Sequence, residues 1–67
     1  MPETITYTVA GMTCDHCKRA VTEELTAVPG VAGVDVDLGT KLVTVTGDGL
    51  DDGALRAAIV EAGYEAA

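Results

Sequence analysis

The chain is 67 residues long and sets eleven carboxylates against four Lys and Arg, a formal charge of −7. That length allows one domain, residues 1–67, near the lower limit for a self-supporting core. The charge excludes nucleic acid and anionic membrane surfaces as partners, because phosphate binding rests on basic side chains and Lys18, Arg19, Lys41 and Arg56 are too few. With no Trp or Phe, the core falls to nine Val, five Leu and two Ile, which predicts a folded but marginally stable domain that gains from metal or a partner.

The opening "MPETITYTVA" has no basic start, no apolar run and no transmembrane length, which implies a cytoplasmic protein without membrane insertion. Met1 and the immediate start of the fold imply a free-standing protein. Alternation in "ITYTV" puts Ile5, Tyr7 and Val9 on one face, so a strand is predicted over about 4–10, broken by Gly11. From Asp15 to Val28 the period changes. Cys17, Ala20, Val21, Leu25 and Val28 recur at steps of three and four, opposite Lys18, Arg19, Thr22 and Glu23, the pattern of an amphipathic helix. Pro29 and Gly30 end it.

"VAGVDVDL" returns to alternation with Val34, Val36 and Leu38 on one face. A tight connection at Gly39 and Thr40 leads into "KLVTVT", with Val43 and Val45 inward, making a hairpin without the Asn-Gly signal. After a turn-rich connector, Asp51 or Asp52 caps a second helix whose buried stripe is Leu55, Ala58, Ile59 and Ala62. Gly63 is its stop. A last short strand from Tyr64 completes a βαββαβ split unit, an α+β ferredoxin-like sandwich with an antiparallel sheet backed by two helices. Only four residues remain for that strand, and Ala is a poor strand former.

Both cysteines and the one histidine fall in "GMTCDHC". Cys14 lies in the loop after the first strand and Cys17 in the opening turn of the first helix. Unpaired backbone N–H groups and the positive end of the helix dipole favour a thiolate there. A disulfide closing so short a loop would constrain the unfolded chain little. Three readings stand. Two thiolates without further donors suit a soft, low-coordinate ion, Cu(I) above all, and leave room for a third thiolate from another protein. A closed zinc site would need four ligands. A Cys-x-x-Cys pair also serves dithiol–disulfide exchange, although a thioredoxin-type domain is longer than this chain. The third reading is two half-buried, inert thiols. Covalent haem attachment is excluded because His16 precedes the second cysteine.

"GMTCDHC" followed by "KRAV", "VPGVAGVDVDL", "VTVTG" and "AIVEAGYEA" resembles the heavy-metal-associated domain family from about Ile5 to Ala66, and is most like small bacterial cytosolic copper chaperones. The resemblance implies a metal-binding protein and not an enzyme, with Cys14 and Cys17 as Cu(I) ligands. It implies that Met12 is a packing residue beneath the loop and that Tyr64 lies close to it. His16 becomes an auxiliary ligand in metal-sharing chains or a solvated loop residue. The implied partner is the metal-binding domain of a copper-transporting P-type ATPase, reached by thiolate exchange, with a copper-bridged homodimer as a further assembly. The alternatives are an N-terminal domain of such an ATPase, a mercury- or zinc-binding relative, and a small thiol oxidoreductase.

Overall fold

The computed structural model describes residues 2–66. Its elements are β1 (Glu3–Thr8), α1 (Asp15–Thr26), β2 (Val31–Asp37), β3 (Leu42–Gly47) and α2 (Asp52–Glu61). The strands form an antiparallel sheet in the order β1-β3-β2. Thus β1 and β2, joined by α1, lie on either side of β3. This is the split βαβ unit expected from the alternation of periods.

Register follows from which side chains must be buried. Tyr7 and Val36 both face Val43, while Ile5 and Val34 both face Val45. A slip of one residue would turn that whole set to solvent. The two helices cover this apolar face. Val21 and Leu25 come down from α1 and Leu55, Ala58 and Ile59 from α2, all buried with Val9 and Met12. Each fully buried Leu or Ile contributes about 1.5–3 kcal/mol relative to exposure. The sheet has one intolerant corner, where β3 ends against the chain entering β2. A Cβ on Gly47 would stand 2.0 Å from the Gly30 carbonyl oxygen, and Gly30 itself has φ +91°.

Element boundaries differ from expectation by one or two residues, as at β1, which spans Glu3–Thr8 and not 4–10. The first helix ends at Thr26 with Ala27 as its C-cap, because the residue before Pro29 is pushed out of helical dihedrals. Lys41 lies in the β2–β3 turn with φ 65°. Asp37 Oδ1 accepts from the Gly39 N–H at 2.8 Å and the Thr40 N–H at 3.3 Å, closing an Asx-type turn that leaves Lys41 in the left-handed region.

Among the described residues the last strand does not form. Residues 64–66 carry no strand, since local bonds take up their backbone. The Tyr64 N–H donates to the Ile59 carbonyl at 3.1 Å, and the Ala66 carbonyl accepts from Arg56 Nη1 at 3.4 Å. Among the described residues β1 is therefore an edge.

Candidate metal centre

The loop between β1 and α1 is drawn tight at its base and open at its tip. The Met12 N–H donates to the Val9 carbonyl at 3.2 Å, and the Val9 N–H donates to the Lys41 carbonyl at 2.8 Å. Val9 and Met12 are fully buried, so the loop is pinned from below by two apolar side chains. Met12, which the family resemblance makes a packing residue, is part of the buried core cluster. Cys14 is the N-cap of α1 in an extended conformation, φ −151° and ψ 172°, and its side chain makes no capping bond. Its carbonyl closes the first helical turn by accepting from the Lys18 N–H at 3.2 Å. The cap position thereby leaves its sulfur free at the surface.

Cys17, in the first turn of α1, is half-buried while Cys14 is exposed, and both are free thiols. Their sulfurs lie 3.5 Å apart, well beyond the roughly 2.05 Å of a disulfide. The environment of Cys17 lowers its pKa from 9.0 to about 6. The first cause is the backbone N–H of Thr13, followed by the Tyr64 hydroxyl and the Cys14 thiol; partial burial opposes them. Near neutral pH this sulfur is mostly thiolate, the form that ligates metal or attacks as a nucleophile. The hydrogen bond to Cys17 in turn raises the pKa of Tyr64.

Tyr64 arrives through the end of α2. The Gly63 N–H donates to the Val60 carbonyl at 2.9 Å and the Tyr64 N–H to the Ile59 carbonyl at 3.1 Å, with Gly63 at φ 95°. That is a Schellman motif. It turns the chain back toward the β1–α1 loop, where a Cβ on Gly11 would meet the Tyr64 ring at 3.3 Å. Tyr64, which the family resemblance puts close to the loop, has its ring against Gly11 there.

His16 and Asp15 are exposed, and among the described residues no three His, Cys, Asp or Glu side chains converge as a ligand group. A hollow of about 380 Å³ on the outer face of α1 is lined by Asp15, Lys18, Arg19, Thr22 and Glu23. Four of its five lining residues are charged, and it has the character of solvated surface. Sequence reasoning missed Lys41, whose ammonium donates to the Met12 carbonyl beneath the loop. The contact joins residues 29 apart, and no local pattern announces it.

Residues 6–65 match the model of the heavy-metal-associated domain. The chain belongs to that family. It is 45% identical over 65 residues to a copper-transporting ATPase 2 of Rhizobium meliloti, covering 96% of this chain but 8% of that protein. With a copper chaperone CopZ of Staphylococcus saprophyticus it shares 41% identity over 64 residues, 92% of this chain and 94% of that one. A mercuric transport protein periplasmic component of Pseudomonas aeruginosa is also similar, at 38% over 64 residues. The solved structure of a CopZ metallochaperone superposes with a TM-score of 0.92 at 33% identity, over 97% of this chain and all of that one. The heavy-metal-associated domain is a metal-binding type, and its ferredoxin-like frame is the one seen here. No helix among the described residues is long and apolar enough to cross a membrane.

Proposed function

We propose that this heavy-metal-associated domain is a cytoplasmic Cu(I) carrier that binds the ion through Cys14 and Cys17 and delivers it to the metal-binding domain of a copper-transporting P-type ATPase. The observation that carries this reading is the pair of free sulfurs 3.5 Å apart, Cys14 exposed and Cys17 half-buried, with the Cys17 pKa lowered to about 6. Soft thiolates select monovalent copper over harder ions. A ligand set of two leaves the ion open to a third. In transfer, a thiolate of the receiving domain bonds to the copper, giving a three-sulfur intermediate. The bond to Cys14 then breaks, a second incoming thiolate replaces Cys17, and the departing sulfurs remain on this chain as thiolates or take up protons from solvent. No free ion leaves, and no covalent bond of either protein is broken, so the domain is not an enzyme.

Similarity to the CopZ chaperone along nearly the whole length of both chains supports the carrier reading. Identity of 45% to a short part of a copper-transporting ATPase supports a second one, in which residues 1–67 form a single metal-binding domain of such a pump. The mercuric relative makes Hg(II) the competing cargo. Competition between the reduced protein and a Cu(I) chelator tests the site itself. Cys14→Ser is expected to weaken Cu(I) binding by more than the roughly 10–100-fold loss that removing a supporting contact produces. Undiminished affinity in that variant would overturn the ligand assignment. Copper passing from the loaded protein to an apo ATPase domain in the presence of excess chelator would distinguish ligand exchange from release.

A further inference from the structure

The frame of the loop contains a contact that the copper-carrying reading does not itself require. Lys41 engages the base of the loop twice. Its backbone carbonyl accepts from the Val9 N–H at 2.8 Å, and its ammonium donates to the Met12 carbonyl in a partly buried position. The Met12 carbonyl and the Thr13 N–H belong to one planar trans peptide, so they point in opposite directions. Fixing the first fixes the second.

We propose that Lys41 is a positioning residue of the metal loop, whose ammonium, by holding the Met12 carbonyl below the loop, aims the Thr13 N–H upward at the Cys17 sulfur. The same contact polarises the peptide, since hydrogen bonds in series strengthen one another. Lys41 never touches the metal. The proposal rests on the reading of Cys17 as a ligand only for its consequence in copper binding; the orientation of the peptide stands independently. The Thr13 N–H is the first cause of the lowered Cys17 pKa, which agrees with this arrangement. The left-handed turn at Lys41, φ 65°, is what swings its stem back under the loop instead of out along β3.

Lys41→Met keeps an unbranched side chain and the same backbone cost while removing the ammonium; Lys41→Arg restores a cation. In the reduced, metal-free protein, the Thr13 amide proton of Lys41→Met is expected to shift upfield. The Met12 and Thr13 amides should exchange about fivefold faster, the equivalent of one hydrogen bond of about 1 kcal/mol. Val43 and Val45 should keep their protection, and Lys41→Arg should recover the wild-type shift. An unmoved Thr13 resonance in Lys41→Met, or faster exchange of all amides together, would overturn the proposal. Copper affinity gives a separate reading: Lys41→Met is expected to lose about 10-fold, within the range for a contact that orients a ligand. Should Cys14→Ser bind Cu(I) as well as wild type, the carrier reading fails while the Thr13 result still decides the role of Lys41.

Discussion

A single hydroxyl separates two ways for Cys17 to behave. Thr13, Tyr64 and Cys14 together hold its pKa at about 6 in place of 9.0, and Tyr64 is the one of these whose contribution a substitution removes cleanly. Tyr64→Phe keeps the ring against Gly11 and deletes the bond. The thiolate absorbance of the apo protein should titrate near pH 6 in wild type and at higher pH in Tyr64→Phe, with Cys17→Ser showing that the signal belongs to that sulfur. Linkage fixes the sign for stability. A depressed acid contributes stability that is fully present above its unfolded pKa and is lost as pH falls through the folded one. Apo wild type should therefore gain stability between about pH 6 and 9, and Tyr64→Phe should gain less. An identical pH dependence in the two proteins would remove Tyr64 from the site. At this scale the sulfur pair was legible because residue type and spacing state the chemistry. Tyr64 was placed near the loop by the family resemblance alone, because its position depends on the left-handed turn at Gly63; Lys41 was not legible, because its position depends on its own left-handed turn.

Among elements, the joint between β1 and α2 is polar on its outside and apolar within. The buried Tyr7 ring reaches out to donate its hydroxyl to Asp52 Oδ1 at 2.6 Å. Asp52 Oδ2 accepts from Arg56 Nε at 3.0 Å, and the Arg56 guanidinium sits over the Tyr7 ring at 5.2 Å. The exposed ion pair alone is worth little; its value lies in presenting a charged acceptor to Tyr7. Tyr7→Phe should cost about 1 kcal/mol, or roughly 4–8 °C in melting temperature for a domain of this size. The cost should vanish at both ends of the pH scale. Burial, reinforced by Asp52, raises the Tyr7 pKa from 10.0 to about 12, so its contribution is complete below pH 10 and lost as pH rises through 12. The Asp52 carboxyl is held below 3.8, first by Tyr7 and then by Arg56, so its contribution is complete above 3.8 and lost on acidification below that. A constant gap between the two proteins across the whole range would mean that packing, and not this bond, accounts for the difference. Both helices and the hairpin were legible from period alone. The missing last strand was not, because it depended on a competition: the end of α2 satisfies its own carbonyls with the Gly63 and Tyr64 N–H groups before any strand can recruit them.

For the molecule as a whole, the formal charge of −7 governs what copper can bring together. With copper bound as proposed, two sulfurs would leave coordination positions open, and two chains would share the ion across their exposed Cys14 sulfurs. Opposing this is the repulsion between two acidic bodies, which salt relieves. The screening length shrinks from about 30 Å at 0.01 M to about 8 Å at 0.15 M, the first comparable with the 31 Å longest extent of the fold and the second far shorter. Copper–sulfur bonds depend much less on salt. The copper-bridged homodimer should therefore be scarce at low ionic strength and increase as salt is added, at fixed copper below one ion per chain. Sedimentation velocity on the reduced protein reads this directly, and Cys14→Ser should stay monomeric throughout. The opposite trend, with dimer dissolving as salt rises, would mean that charged faces such as Lys18 and Arg19 against the carboxylates hold the chains together. On the proposed carrier reading, net repulsion at low salt would also favour delivery over self-association. A receiving domain with a basic face would, on that reading, be drawn in under the same conditions that keep two carriers apart.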